Sequence, residues 1–309
     1  MATDSLFKGV AYGVAAGVCW GVVFIGPALT PGLSGAAFAI LRFLCYGVIS
    51  LALLLPRWRT VWASVGRTEW VALFWLSLIG NVLYYSLVAT GVQNVGVATT
   101  SLIVGLIPVL VTLAGRKDIN AVPIGRLAPA LCCAMAGVIL ISVNALAQES
   151  PINVGHRRWG LVCAIGALFC WSWFAVSNSR RLAQVKISAR DWVLLTGVMT
   201  GAQSLVLAIP LLGRDMARLD TRTSWSFLGV AAAVALVASL FGGAFWNQAS
   251  RLLPLALSGQ VVVVETLAAL SLGFVWQQRL PTELEGTAVA LLVVGVVWCL
   301  RCHQQPRPA

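Results

Sequence analysis

The chain alternates between long apolar stretches and short polar ones over almost its whole length. Each apolar stretch is about 20 residues long, which is what an α-helix needs to cross a bilayer at about 1.5 Å per residue. The pattern therefore predicts an all-α polytopic membrane protein with ten transmembrane helices and no soluble domain. The predicted spans are residues 9–29, 36–56, 70–91, 97–115, 127–146, 159–178, 192–212, 226–249, 254–276 and 284–300.

Composition agrees with a chain whose main surroundings are the lipid bilayer. Of the 309 residues, 59% are hydrophobic and 10% are charged, whereas a soluble domain carries about 25% charged residues. A net charge of +11 is also typical of nucleic-acid-binding proteins, but here the basic residues cluster in short loops, as membrane topology requires. We therefore predict no nucleic-acid partner. The first apolar segment lacks a small-residue cleavage site, which predicts a retained span rather than a signal peptide.

The distribution of basic residues predicts the orientation. With the N-terminus inside, 14 of the 21 lysines and arginines fall in loops on the inner side and 6 on the outer side, and Arg42 lies within a span. Basic residues are enriched in cytoplasmic loops, so both termini are predicted to be cytoplasmic. The membrane itself is predicted to be the bacterial inner membrane.

The pattern contains no group of residues typical of catalysis or of metal binding. The eight cysteines fall nearly all in apolar runs without zinc or haem spacing, which favours a packing role. The two histidines, His156 and His303, lie in a loop and in the tail. We predict no catalytic residue, no metal and no cofactor. Because no ATP-binding motif is present, any transport must be secondary.

The two halves of the chain repeat each other. Cys19-Trp20 matches Cys170-Trp171 at an offset of 151 residues, Ser34 matches Ser188 at 154, and Gly137 matches Gly295 at 158. Each half holds five spans, an odd number, so the halves must have opposite orientations in the membrane. The predicted units are 1–148 and 149–309, two inverted five-helix repeats. Inverted repeats place the substrate near the bilayer midplane, at the repeat interface.

This organisation resembles the drug/metabolite transporter superfamily and its EamA-type members. The residues that carry the resemblance are Cys19-Trp20, Leu41-Arg42-Phe43, Ile107-Pro108-Val109 and Val264-Glu265-Thr266. The chain departs from the family pattern at Thr266, where members often have proline, and at Gly115-Arg116 and Gln277-Gln278, where they often have Gly-Glu. The resemblance implies export of amino acids and related metabolites, although these departures limit what it implies about the substrate.

Two charged residues lie well inside predicted spans, away from the span ends: Glu265 near the middle of the ninth and Arg42 in the second. Ionisable residues at this depth mark functional sites by default. Glu265 is a candidate for proton exchange or for binding a substrate ammonium group; the alternative is a buried salt bridge or hydrogen bond. Arg42 could bind a substrate carboxylate in two places, or it could snorkel or cap backbone carbonyls. Whether the two residues bind substrate or each other stays open.

Several aromatic and amide side chains are further candidates for the substrate site. Trp20 and Trp171 are related by the repeat and lie too deep for interfacial anchoring, so they line a cavity or fill the core. Asn81 and Tyr85 share one helix face at a spacing of four residues. Trp246 and Asn247 add polar groups in the eighth span, where interhelical packing is the alternative role.

Together these features predict a secondary active transporter that exports amino acids or related small metabolites by alternating access. Coupling to protons through Glu265 is one mechanism. A multidrug-type exporter of aromatic or cationic compounds is the alternative in the same class. An integral membrane enzyme, or a scaffold without transport activity, is the alternative in another class. The oligomeric state, including a homodimer, stays open.

Overall fold

The computed structural model describes residues 3–114, 124–147, 154–216, 220–253, 258 and 261–304, and over these residues it is helical, with no β-strand. The α-helices of the first half are α1 (Thr3–Gly21), α2 (Gly35–Leu54), α3 (Trp58–Ala63), α4 (Arg67–Ser77), α5 (Tyr84–Val104), α6 (Ile107–Ala114) and α7 (Ile124–Ala147). Those of the second half are α8 (Val154–Leu182), α9 (Ala189–Met216), α10 (Thr221–Val234), α11 (Gly243–Leu252), α12 (Val263–Trp276) and α13 (Glu283–Gln304).

The lengths and hydropathy of these helices are those of a polytopic membrane protein. Seven stretches of the described residues are long and apolar enough to cross a membrane: Phe7–Ala28, Gly35–Ala63, Arg67–Val111, Gly125–Val143, Val154–Leu182, Ala189–Ile209 and Thr221–Leu252. The shorter helix α12 is also apolar. The ten predicted spans each overlap helical residues, but the count of ten crossings stays a prediction. Residues 254–257, 259 and 260 of the predicted ninth span lie outside the described residues.

A glycine divides the longest of these stretches. Arg67–Val111 covers 45 residues and joins the two segments predicted at 70–91 and 97–115. Within α5, Gly96 has φ 83° and ψ 168°, a backbone conformation that side chains with a Cβ atom rarely adopt. The helical hydrogen bonding is interrupted here, where the sequence predicts a turn at 91–97.

Local side chains explain where two of the helices begin. The Ser34 side chain accepts a hydrogen bond from the Ala37 backbone N–H at 3.2 Å, at the start of α2. Asp220 accepts one from the Thr223 backbone N–H at 3.0 Å, at the start of α10. Serine and aspartate are favoured at this position because they satisfy backbone N–H groups that have no partner inside the helix.

Two short segments wind as π-helix. The first π segment, Leu78–Leu83, joins α4 to α5, and the second π segment, Ala235–Gly242, joins α10 to α11. A π-helical turn inserts one residue relative to the α-helical register and recurs at functional sites. Both segments occupy the same place in their respective halves, namely the third predicted span of each.

Close packing of small residues brings the two halves together. Helix α2 packs along α9, α7 along α13, α5 along α8, and α1 against both α11 and α12. Where α2 crosses α9, a Cβ atom on Gly47 would lie 2.6 Å from the Cα atom of Gly201. Glycines allow this approach, because van der Waals packing, and not the hydrophobic effect, holds helices together in lipid.

Candidate functional site

A cavity lies between the two halves of the chain, bordered by α1, α2, α5, α8, α9, α11 and both π segments. Its volume is about 40 Å³, which holds about three water molecules. Seven of the eight candidate residues line it: Trp20, Arg42, Asn81, Tyr85, Trp171, Trp246 and Asn247. Helices distant in sequence thus bring these residues to one place.

Three tryptophans form one wall of this cavity. The ring centroids of Trp20 and Trp171 are 5.3 Å apart, those of Trp20 and Trp246 are 5.4 Å apart, and those of Trp171 and Trp246 are 5.3 Å apart. Such spacings are typical of favourable aromatic contacts. The indole N–H of Trp20 donates to the backbone oxygen of Ala238 at 3.0 Å. The indole N–H of Trp246, which is 2% exposed, has no hydrogen-bond partner among the described residues.

Arg42 contributes a buried positive charge. Its side chain is 1% exposed, and its Nε and Nη2 donate to the Ser239 hydroxyl at 3.2 and 2.9 Å. Its guanidinium carbon lies 3.9 Å from the ring centroid of Tyr85, which is a cation–π contact. No carboxylate of the described residues forms a salt bridge with Arg42. The charge is therefore held by an aromatic ring and a hydroxyl, and the hydrogen bonds described for Arg42 use Nε and Nη2 but not Nη1.

The amide side chains differ in how far their hydrogen bonds are committed. Asn247 accepts from Asn178 at 3.0 Å and donates to the Ala189 backbone oxygen at 3.4 Å, while Asn178 accepts from Trp192 at 2.9 Å. Asn247 thus belongs to a network that ties α8, α9 and α11 together. Asn81, in the first π segment, donates to the Thr200 hydroxyl at 3.0 Å.

Glu265 lies outside the cavity lining. It is 2% exposed and sits in the first turn of α12, against α1, since a Cβ atom on Gly17 would lie 2.9 Å from its backbone nitrogen. Its carboxyl interacts electrostatically with both Tyr84 and Arg42. Neither its Oε2 nor the Tyr84 hydroxyl forms a hydrogen bond of normal geometry with the described residues. Glu265 and Arg42 therefore influence each other without forming a direct pair.

Tyr84 connects the acid to the cavity. Its ring centroid lies 4.6 Å from that of Tyr85 and 6.5 Å from that of Trp171, and both of those side chains line the cavity. A chain of neighbouring side chains thus leads from the acidic Glu265 through Tyr84 and Tyr85 to the basic Arg42. This arrangement allows a change at Glu265 to reach Arg42 through two tyrosines whose rings meet edge to face.

Sequence reasoning missed several lining residues. Tyr46, Asn178 and Ser239 also line the cavity, and the Tyr46 hydroxyl donates to the Val193 backbone oxygen at 2.7 Å. Spacing could have indicated two of them. Tyr46 follows Arg42 by four residues on one helix face, and Ser239 follows Asn81 by 158 residues, which is the offset of the later repeat matches.

Comparison with known proteins identifies the family. Residues 7–143 match the EamA-like transporter family. The chain is 30% identical to "Inner membrane protein YtfF" of Escherichia coli (strain K12), with 97% of each chain covered. It also resembles a solved structure titled "Crystal structure of protein", with a TM-score of 0.64, 19% identity, and 96% of this chain and 99% of that chain covered. At this identity the likeness concerns the fold alone.

The chain therefore belongs to the EamA-like transporter family, within the drug/metabolite transporter superfamily, as the resemblance predicted. As a member of this family, with helices long and apolar enough to cross a bilayer, it is an integral membrane protein and a membrane transporter of small molecules. The cavity between the halves, with its buried arginine and tryptophans, is the candidate substrate site.

Proposed function

We propose that the protein is a secondary active transporter of small carboxylate-bearing metabolites, with amino acids as the first candidates. One observation carries this proposal: the cavity holds N–H donors without acceptors to match. Arg42 has no salt-bridge partner, and the indole N–H of Trp246 has no hydrogen-bond partner among the described residues. None of the described residues that line the cavity is an aspartate or a glutamate.

Such donors favour a ligand that brings acceptor oxygens. Arginine stays protonated at any physiological pH, and its planar fork matches a carboxylate in two places. An indole N–H can only donate. A carboxylate would therefore satisfy both groups, whereas a cation would meet repulsion from Arg42. The tryptophan wall adds apolar surface for the rest of the substrate.

The architecture we propose is ten transmembrane helices in two inverted five-helix repeats, 1–148 and 149–309. Packing supports it, since glycine contacts recur at the repeat offsets. Gly47 and Gly201 are separated by 154 residues and contact each other reciprocally. A Cβ atom on Gly137 would lie 2.6 Å from the Ala288 oxygen, and one on Gly295 would lie 2.7 Å from the Ala130 oxygen. Gly137 and Gly295 are 158 residues apart in the sequence, and so are Ala130 and Ala288.

The proposed topology, with both termini cytoplasmic, also has support from contacts between loops. Arg57 forms a salt bridge with Asp191 at 2.7 Å, and both residues belong to segments predicted on the inner side. The Ser34 backbone N–H donates to Asp215 at 2.9 Å, and both belong to segments predicted on the outer side. These contacts agree with the predicted grouping of loops, and the basic-residue count assigns the inner group to the cytoplasm.

The small size of the cavity supports alternating access as the proposed mechanism. A volume of about 40 Å³ holds about three water molecules, and even glycine has more heavy atoms than that. In the proposed mechanism, substrate enters or leaves when the halves move apart on one side. The direction that we propose, export, comes from the family resemblance alone.

Glu265 is the candidate for coupling to protons. A buried carboxyl near mid-membrane is costly when charged and is retained where it has a function. Its Oε2 and the neighbouring Tyr84 hydroxyl form no hydrogen bond of normal geometry with the described residues, so a proton between these two groups could be accommodated there. The tyrosine pair offers a path by which protonation changes the field at Arg42.

A multidrug-type exporter remains the second candidate, because six of the lining side chains are aromatic: Trp20, Tyr46, Tyr85, Trp171, Phe174 and Trp246. Flux in sealed vesicles separates the candidates. Purified protein in proteoliposomes should move amino acids in preference to their amides and to aromatic cations of equal size. Preference for the cations would favour the multidrug alternative, and no flux of any substrate would favour an enzyme or a scaffold.

A further inference from the structure

A second concave site lies on the exposed surface of the helix bundle, in a groove between α4 and α8. Its volume is about 490 Å³, much larger than the central cavity. The residues that define this groove are Arg67, Val71 and Trp75 on α4 and Trp173, Ser177 and Arg181 on α8. It is separate from the substrate cavity, with which it shares no lining residue.

The two helices present matching stripes to this groove. On each helix the three residues are spaced by four, so they lie on one face. Each stripe ends in an arginine, at the start of α4 and at the last turn of α8. The tryptophans stand eight residues from the arginines, about 12 Å along the helix axis at about 1.5 Å per residue.

The groove is apolar in its middle and exposed along its length. Val71 is 53% exposed, Trp75 is 48% exposed and Trp173 is 41% exposed. They belong to two of the stretches that are long and apolar enough to cross a membrane. A surface of this kind faces hydrocarbon, so an acyl chain is the natural occupant of its middle.

The polar end of the groove is positively charged. Neither Arg67 nor Arg181 forms a salt bridge with a described residue. One acid, Glu69, lies in the same first turn of α4, where its Oε2 accepts from the Thr68 hydroxyl at 3.1 Å. The two arginines outnumber this acid, and basic pockets between transmembrane helices at the membrane surface bind acidic lipid head groups.

We propose that this groove is a binding site for one acidic phospholipid. Its phosphate group lies between Arg67 and Arg181, and an acyl chain runs along Val71, Trp75 and Trp173. Under the topology proposed above, the lipid comes from the cytoplasmic leaflet. Binding at this site does not depend on which substrate the protein transports.

Native mass spectrometry of the detergent-purified protein tests this proposal. Phosphatidylglycerol and phosphatidylcholine with identical acyl chains are added at equal concentration, and the bound fraction of each is measured. The wild type should retain phosphatidylglycerol preferentially. The double variant Arg67→Gln/Arg181→Gln should lose that preference by about tenfold or more, because it removes both charges at the phosphate position.

A different surface groove, away from α4 and α8, provides the matched control. It lies along α13, has a volume of about 520 Å³, and contains Trp298 and a single arginine, Arg301. Arg301→Gln should leave the phosphatidylglycerol preference within about twofold of the wild type. If Arg301→Gln and the double variant lower it equally, retention reflects general surface charge and the proposal is wrong.

Two further measurements keep the result interpretable. Melting temperatures without added lipid show whether the variants are folded, and the single variant Arg181→Gln replaces the double variant if the latter unfolds. Glycerol 3-phosphate, which carries the phosphate without acyl chains, should not raise the melting temperature of the wild type, whereas phosphatidylglycerol should raise it. An equal rise with both ligands would indicate a free phosphate site and would overturn the lipid assignment.

Discussion

The most informative perturbation of the substrate cavity is Arg42→Lys. Lysine keeps the positive charge but replaces the planar fork by a single ammonium group. It also gives up the stacking of the guanidinium 3.9 Å from the Tyr85 ring centroid. If Arg42 binds a substrate carboxylate through two N–H groups, the variant loses one of those hydrogen bonds and keeps the attraction between opposite charges.

The size of the effect follows from the hydrogen bond that is lost. A hydrogen bond to a charged group contributes about 1.5–3 kcal/mol, and about 1.4 kcal/mol corresponds to a tenfold change in affinity. The apparent affinity for a carboxylate substrate should therefore fall by about tenfold or more. Loss of the Tyr85 contact costs about 1–2 kcal/mol in a desolvated site, but this cost falls on every substrate alike.

The assay is designed to separate these two effects. Proteoliposomes are loaded with a labelled amino acid, and exchange is measured against external amino acid or against its amide, which has the same body without the negative charge. The wild type should discriminate in favour of the acid. Arg42→Lys should lower this discrimination ratio by about tenfold, whatever it does to the overall rate.

Ser239→Ala is the matched control. It removes the hydroxyl that accepts from Arg42 Nε and Nη2 but leaves the guanidinium itself in the cavity. Its discrimination ratio should stay within about threefold of the wild type, because the N–H groups that face a carboxylate are retained. An unchanged ratio in Arg42→Lys, with acid and amide affected equally, would refute a carboxylate-binding role and indicate a structural one.

Three other predictions concern coupling and stability. Glu265→Gln should retain substrate exchange but lose accumulation driven by a pH gradient; an active variant with unchanged pH dependence would contradict the coupling role. Gly201→Ala should lower the melting temperature more than Gly229→Ala, since its Cβ atom would lie 2.6 Å from the facing backbone while that of Gly229 meets nothing within 4 Å; equal changes would argue against close α2–α9 packing. Hydrogen bonds from Thr223 hold the pKa of Asp220 below its usual range, so this cap stabilises the fold above the unfolded-state pKa and is lost as the pH falls through the folded-state value. Asp220→Asn should therefore reduce the acid sensitivity of the melting temperature below about pH 5, and an unchanged profile would contradict this.

The helical nature of the chain and its placement in the membrane could be predicted from the sequence. In lipid every backbone N–H and C=O must be satisfied within the segment, so an apolar run of sufficient length leaves the helix as the available structure. The repeat offsets likewise indicated that Trp20 and Trp171 are equivalent, and the structure brings them into contact. These inferences depend only on composition and periodicity along the chain.

Neighbouring residues show where sequence stops being sufficient. Trp246 and Asn247 are adjacent and both line the cavity. The indole N–H of Trp246 has no hydrogen-bond partner within the described part of the chain, whereas Asn247 is hydrogen-bonded to Asn178 and Ala189. Which of two adjacent polar groups is satisfied depends on the partners that other helices bring, and those partners are distant in sequence.

Glu265 makes the same point for the charges. Hydropathy identifies it as a buried acid, but whether it lines the cavity depends on the rotation of α12 against α1. The structure places Tyr84 and Tyr85 between it and Arg42. The two π segments also alter the orientation of side chains, because one residue inserted into a helix changes which side chains after it face the cavity. Only the tertiary structure decides such rotations, since packing between helices, and not periodicity within one helix, determines them.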